Sequence, residues 1–421
     1  MTVIDDVDAW EVLDSRGHPT VRVHVTAGAA TGTFTVPAGA STGTHEAVER
    51  RDGGDRFDGL GVTDAVEAVH TELAPAVCGH DVTQQAAIDT RLVDLDGTEN
   101  LARIGGNAVL GVSGAVAHAA SDALGIPLYE HLATDDHGGL PMPLVNIISG
   151  GLHGAGGVAI QDFMIVPVGA RSYREALEMA WAVRQGVREI LVADGHRPLV
   201  ADEGGFAPAV DELDDIFSLL REGIETAGFT VGADVAYAID VAASHFFDQG
   251  SYRVPSADID GGPSELIELM ERIVAEYPIM AIEDPLAEDD WEGWSRLCDR
   301  IGDEVRVIGD DLLVTNADRL QRAIAEEAAT AVLVKPNQAG TLSRTLDVIA
   351  TAREVGFDRV ISARSGETCD HSIADLAVAC GAEHIKIGSL ARSERLAKYN
   401  RLLEIDRAID RPFNTPRREA R

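Results

Sequence analysis

Hydrophobic and polar positions alternate through the first forty residues of the chain. "AWEVLDSRG", "TVRVHVTAG" and "TGTFTVPAG" carry the two-residue period of half-buried strands and close on Gly or Pro, which predicts a three-stranded meander. A helical period replaces it around 62–77, 83–95 and 105–124. The last of these, "GGNAVLGVSGAVAHAASDALG", is so rich in small residues that it predicts a closely packed helix. The polar stretch "HLATDDHGGLPMP" at 131–143, with its Gly and Pro, marks a domain boundary.

Beyond that boundary short apolar runs alternate with helical stretches such as "SELIELMERIVAEY" and "NADRLQRAIAEEA". The strand-like runs are "PLVADEGG", "AYAIDVAAS", "IMAIEDPL", "RVIGDDLL", "AVLVKPN", "RVISARSG" and "HIKIGSL". They recur at roughly 25–40 residues, about one strand–helix unit. Buried strands alternating with helices imply a parallel sheet, and this many units in one domain favour a closed, (βα)8-like α/β barrel. An open doubly wound sheet is the alternative, but no G-x-G-x-x-G opens a first strand–helix unit. The expected division is an N-terminal α+β domain at 1–135, a C-terminal barrel at 141–410, and a basic tail, "RPFNTPRREAR" at 411–421, read as disordered.

The 421 residues, with hydrophobic content of 45%, suffice for two cores. A net charge of −35 argues against nucleic acid and anionic membranes as partners. The acids are spread along the chain, as on a solvated surface adapted to high salt, and a halophile's cytoplasm is the expected setting. No apolar run is long enough to span a bilayer, and the acidic start "MTVIDDVDAW" is unlike a signal peptide, so a soluble cytoplasmic protein is expected. The four cysteines are scattered, with no C-x-x-C pair to suggest a disulfide framework or a zinc ribbon.

Lysine is the anomaly. The chain has three, Lys335, Lys386 and Lys398, and every other Lys/Arg position is arginine. Lys335 ends an apolar run, an expensive place for an ammonium group. Other runs end similarly: Glu203, Asp240, Glu283, Asp310, Arg364 with Ser365, and Lys386 each follow an apolar segment and precede a loop. One acid after a strand is ordinarily a helix cap or a solvated loop residue. In an α/β barrel, however, all C-terminal strand ends open on one face, so residues distant in sequence would converge there. Asp240, Glu283 and Asp310 form an all-oxygen set suited to Mg2+ rather than zinc. Lys335, desolvated beside a metal and another cation, would have its pKa pushed down and act as a general base; a snorkelling lysine is the bland alternative. Arg364 and Ser365 offer a fork and a hydroxyl for phosphate or carboxylate. Together these groups suit abstraction of a proton α to a carboxylate.

These residues lie in blocks that resemble the enolase family in order along nearly the whole chain: "EVLDSRGHPTV", "GASTGTHEAVERRDG", "ADEGGFAP", "IEDPLAEDDWEGW", "GDDLLVTN", "VKPNQAGT", "ARSGET" and "ARSERLAKYNRLL". The resemblance implies a barrel with a partly antiparallel start behind a smaller N-terminal α+β domain. It also implies reversible dehydration of 2-phosphoglycerate to phosphoenolpyruvate. A lysine base acting with one or two Mg2+ ions is the arrangement already known for the enolase superfamily, not one derived from this chain. Carried over by position, the resemblance assigns Asp240, Glu283 and Asp310 to a first Mg2+ and Ser41 to a second, two per site. Lys335 becomes the base at C2 and Glu203 the acid at the leaving C3 hydroxyl. Lys386 steadies the carboxylate, Arg364 and Ser365 hold the phosphate, and His153, Gln161 and Asp162 complete the pocket. A homodimer or larger homo-oligomer is the expected assembly.

Several positions depart from the family pattern. Asp162 and Ala363 stand where glutamate and histidine are usual, and Ile387, Gly388, Ser389 and Leu390 replace Thr-Gly-Ala-Pro. His245 replaces a glutamate and Ala38 a serine. Two other readings therefore stay open: a lyase for another phosphorylated or phosphonate α-hydroxy acid, and a non-catalytic acidic binding protein.

Overall fold

The computed structural model describes residues 2–39, 43–133, 139–151, 154, 158–409 and 413. The alternating N-terminal segments form antiparallel strands β1 (Asp6–Leu13), β2 (Pro19–Ala27) and β3 (Ala30–Thr35) in the order β1-β2-β3. Val21, Val23 and Val25 point from β2 into a core shared with the helix Gly106–Leu124. The small residues of that helix have a steric reason. A Cβ at Gly111 would run into Val23 and one at Gly114 into the Phe34 ring, so glycine lets the helix lie directly on the sheet.

Past the boundary the chain makes β4 (Met142–Ser149), β5 (Asp162–Val166) and β6 (Ala236–Asp240). A small antiparallel sheet follows: β7 (Phe247–Asp248), β8 (Ser251–Val254) and β9 (Ile259–Gly261). Then come β10 (Ile279–Glu283), β11 (Arg306–Gly309), β12 (Ala331–Val334), β13 (Asp358–Ser362) and β14 (His384–Gly388). Eight of these strands close a barrel in the order β10-β11-β12-β13-β14-β4-β5-β6. The pairs on either side of β5 are antiparallel and the rest parallel. Met142, Leu144, Met164, Ile308, Leu333 and Val360 belong to a cluster of their own, separate from the one shared with the helices, as in a barrel whose interior is packed with side chains.

Three expectations need correction. "PLVADEGG" is not a strand: Leu199 is 66% exposed, and 201–206 is a turn bridged to β4 through Ile148–Phe206. Two barrel strands, β4 and β5, are missing from the apolar runs read in the sequence. Phe413, within the stretch read as disordered, bridges Leu140 and packs edge-on against Tyr173. Among the described residues no helix is long and apolar enough to cross a membrane.

Candidate active site

Barrel closure brings the strand-end residues onto one rim. Asp240 ends β6 and Glu283 ends β10, and the two are paired in register across neighbouring strands. Asp310 follows β11 directly and Lys335 follows β12. Arg364 lies just past β13, whereas Lys386 sits inside β14, opposite Ser362, rather than at its end. Asp162 reaches the same rim by a different route. Its strand β5 runs antiparallel, so its first residue pairs with the last of β6. Asp240, Asp310, Lys335, Arg364 and Lys386 line a polar cavity here together with Gln161, Glu203, Ala242, His245, Asp284, Asp311, Ala363 and Ser365, whereas Glu283 and Asp162 do not line it.

The lysines meet the acids directly. Lys386 Nζ donates to Asp240 Oδ2 at 2.8 Å and to Glu283 Oε2 at 2.6 Å. Lys335 Nζ donates to Asp310 Oδ2, and Gln161 Nε2 donates to Asp240 Oδ2 at 3.1 Å. Burial and the adjoining Asp240 charge push Glu283 well above the usual carboxylate range. Burial works against charge on Lys386 too, but Asp240 and Glu283 outweigh it and hold the ammonium well above its ordinary pKa. One ammonium between two buried carboxylates leaves negative charge uncompensated.

That donor set fits Mg2+: buried, all oxygen, and short of positive charge. Among the described residues the acids whose ligand oxygens all lie within 4.8 Å of one another are Asp284, Asp310 and Asp311, not the set Asp240, Glu283 and Asp310. Asp284 there serves the backbone instead. Its two oxygens accept the amides of Asp310 and Asp311, each at 2.9 Å, which fixes the exit of β11. Asp284 itself stands at φ 42°, a left-handed conformation costly for a non-glycine residue, directly after Glu283. Burial and Asp310 raise the Asp311 carboxyl to about 7.

The expected lowering of the Lys335 pKa supposes a metal beside it. Burial pulls the pKa down, but the charges of Asp310 and Glu283 together outweigh it, and the net shift is upward. In this arrangement Asp310 keeps the amine charged.

Glu203 reaches the cavity from the turn 201–206. Its carbonyl accepts the Ser389 amide at 2.8 Å, and a Cβ at Gly388 (φ +102°) would collide with that carbonyl. Arg184 ties the same two loops together, donating from Nε to Ser389 Oγ at 3.1 Å and from Nη2 to the Gly204 carbonyl at 3.3 Å. Ser389, one of the departures from the family pattern, is therefore an anchor for the Glu203 turn.

Asp162 differs from its sequence reading. It is fully buried, accepts from Asn146 Nδ2 and Ser149 Oγ through Oδ1, and is not among the residues lining the cavity. Ala363 and His245 do line it. Ser41 and His153 lie outside the described residues. Reading the sequence missed Asp284, Asp311 and Gln338. The doublets "ED" and "DD" at strand exits were the available signal for the first two; nothing in "KPNQ" announced the third.

The scarcity of lysine acquires a structural meaning here. The side chains of Lys335, Lys386 and Lys398 are 13%, 8% and 1% exposed, and each pairs with a carboxylate. Lys398 Nζ donates to Glu367 Oε2 at 2.7 Å, while Glu367 Oε1 accepts the Arg364 amide at 3.0 Å, so the third lysine braces the Arg364 loop. An amine-acylating reagent followed by peptide mass mapping is expected to leave Lys386 and Lys398 unmodified in the native protein and to modify all three lysines in guanidinium chloride. Native Lys398 reacting as fast as it does in the unfolded chain would contradict this burial.

Comparison with known families gives two matches. A family model for the enolase N-terminal domain matches residues 4–132, and one for the enolase C-terminal TIM barrel domain matches residues 138–414.

Proposed function

The chain belongs to the enolase family, and from that premise we propose that this lyase catalyses the reversible dehydration of 2-phosphoglycerate to phosphoenolpyruvate. The observation that carries the reading is the meeting of Lys335, Lys386, Asp240 and Asp310 in one polar cavity, with Glu283 bonded to Lys386 behind it.

The C2 hydrogen of such a substrate is a very weak acid, so groups that gain strength as negative charge reaches the carboxylate contribute most to rate. Lys335 takes the C2 proton on its amine, which must first be freed from Asp310. Lys386 faces the carboxylate as charge accumulates there. Glu203 delivers a proton to the C3 hydroxyl, which leaves as water while the C2–C3 double bond forms. Arg364 and Ser365 receive the phosphate. Asp240, Glu283 and Asp310 would hold one Mg2+ and Ser41 is assigned to a second; bound there, the ions would supply cationic charge as negative charge develops on the carboxylate. Acid and base stand on different loops, so each is tuned by its own surroundings.

A second reading has one observation in its favour. Ala363 lines the cavity where the family carries an imidazole, which alters the leaving-group and phosphate side. That favours a related phosphorylated or phosphonate α-hydroxy acid handled by the same base. One assay separates the two. Purified protein with Mg2+, 2-phosphoglycerate and high salt is expected to show the rising ultraviolet absorbance of phosphoenolpyruvate. Hydrogen exchange at C2 without that rise would favour the second reading. Catalysis in the cytoplasm by a homodimer or larger homo-oligomer completes the proposal.

A further inference from the structure

Arg364 does not meet the cavity alone. Glu46, a 5%-exposed residue of the N-terminal domain outside any helix or strand, accepts from Arg364 Nη1 at 2.9 Å through Oε2 and from Nη2 at 3.4 Å through Oε1. Asn337 Oδ1 takes a further bond from Nη1 at 3.2 Å. The guanidinium is thus gripped along one edge by a carboxylate and an amide from two different domains. Such a fork has its plane and direction fixed before any ligand arrives.

Glu46 also reaches toward the acids. Its Oε1 accepts the Gly43 amide at 2.9 Å and Gln338 Nε2 at 3.4 Å. Gln338 Nε2 donates to Asp310 Oδ1 at 2.8 Å, and Gln338 Oε1 accepts from Thr315 Oγ1 at 2.7 Å. The orientation of the amide follows from these partners: a carboxylate only accepts, so the nitrogen end must face Asp310. The backbone reinforces the contact, with the Ala47 amide donating to the Gln338 carbonyl at 2.9 Å. Asp310 therefore has Oδ1 tied to Gln338 and turns Oδ2 toward Lys335. An ion pair serving stability alone would end at Arg364; this one continues to a candidate metal ligand.

We propose that Glu46 is a positioning residue that holds the Arg364 guanidinium ready for the anionic group of the ligand and, through Gln338, sets the Asp310 carboxylate for its cation. The inference rests on the roles proposed above for Arg364 and Asp310, and it assigns part of the active site's geometry to the N-terminal domain. Partners that orient a metal-binding carboxylate typically change metal affinity by about 10–100-fold when removed, without contributing an atom to the ion.

The test uses the full chain with Mg2+ alone and inorganic phosphate alone as probes, titrated calorimetrically. It can therefore be read whether or not 2-phosphoglycerate is the substrate. Gln338→Ala is expected to weaken Mg2+ binding about tenfold or more and to leave phosphate affinity unchanged. Glu46→Ala is expected to weaken both. Glu46→Gln keeps an acceptor for Arg364 and is expected to recover most of the phosphate affinity. If Glu46→Ala does not fold, Glu46→Asp, which shortens the carboxylate and withdraws it from Arg364, takes its place for phosphate, and Gln338→Ala decides for Mg2+. Wild-type constants for both probes in folded Glu46→Ala, or for Mg2+ in Gln338→Ala, would overturn the proposal, even if the melting temperature falls.

Discussion

Lys335→Ala is expected to lower deuterium incorporation at C2 of 2-phosphoglycerate by about 10²–10⁴-fold, the span of a positioned general base. Among the described residues only Lys335 and Lys386 bring an amine to the cavity. Lys386 cannot stand in, because its ammonium is committed to Asp240 and Glu283 at 2.8 and 2.6 Å. Lys335 has one carboxylate partner, Asp310, and Asp310 keeps a second donor in Gln338 when the lysine is gone. The variant should therefore fold and still bind Mg2+, so that loss of exchange reports on the base and not on a collapsed site. Exchange is followed by proton NMR in D2O, with Mg2+ affinity measured alongside. Exchange persisting at the wild-type rate would remove Lys335 from the mechanism.

Lys386→Met produces the other large effect, and it shows first in stability. Removing the ammonium leaves Asp240 and Glu283 side by side, both nearly inaccessible to water, and Glu283 already resists ionisation there. Breaking a buried pair by deleting one partner costs about 3–5 kcal/mol. Denaturant unfolding in EDTA is expected to show a loss of that order. Added Mg2+ should restore part of it, since a cation bound only by the folded state stabilises that state. Turnover should be lost in either condition. A stability in EDTA within about 1 kcal/mol of wild type, the scale of an exposed pair, would mean that Lys386 is not the counter-ion of this cluster.

Much of this was legible in the chain because period and burial coincide. The alternation in "TVRVHVTAG" became β2 with its valines buried, and the runs ending at Asp240, Glu283, Asp310 and Lys335 became barrel strands that deliver those residues to one rim. The failures have physical causes. All eight residues of β4 are buried, so the strand has no polar face to alternate, and a Gly-rich segment separates it from β5. "PLVA" imitates a strand in composition, yet its Leu199 and Val200 face solvent. Lys386 was read as a strand end because a period cannot tell where pairing stops.

The chemistry of the site was legible by residue type and illegible by contact. Burial beside a metal and another cation predicts a lowered Lys335 pKa; the sequence gives no sign that Asp310 and Glu283, from other strands, face the amine and raise it. Asp162 was placed in the pocket by its neighbour Gln161, but strand alternation turns the two side chains differently, and Asp162 is taken up by Asn146 and Ser149. Glu46 and Gln338 carry no local signature, since their roles exist only once the two domains meet. Nothing in the sequence gives the third lysine a role; its ion pair with Glu367 does.

Wild-type protein incubated with Mg2+ and 2-phosphoglycerate in D2O, with C2 followed by proton NMR, tests the account most directly. The account predicts that the C2 proton signal disappears as phosphoenolpyruvate forms and that neither change occurs with Lys335→Ala. Wild-type protein with Mg2+ bound that leaves the C2 proton in place indefinitely and forms no product would contradict it.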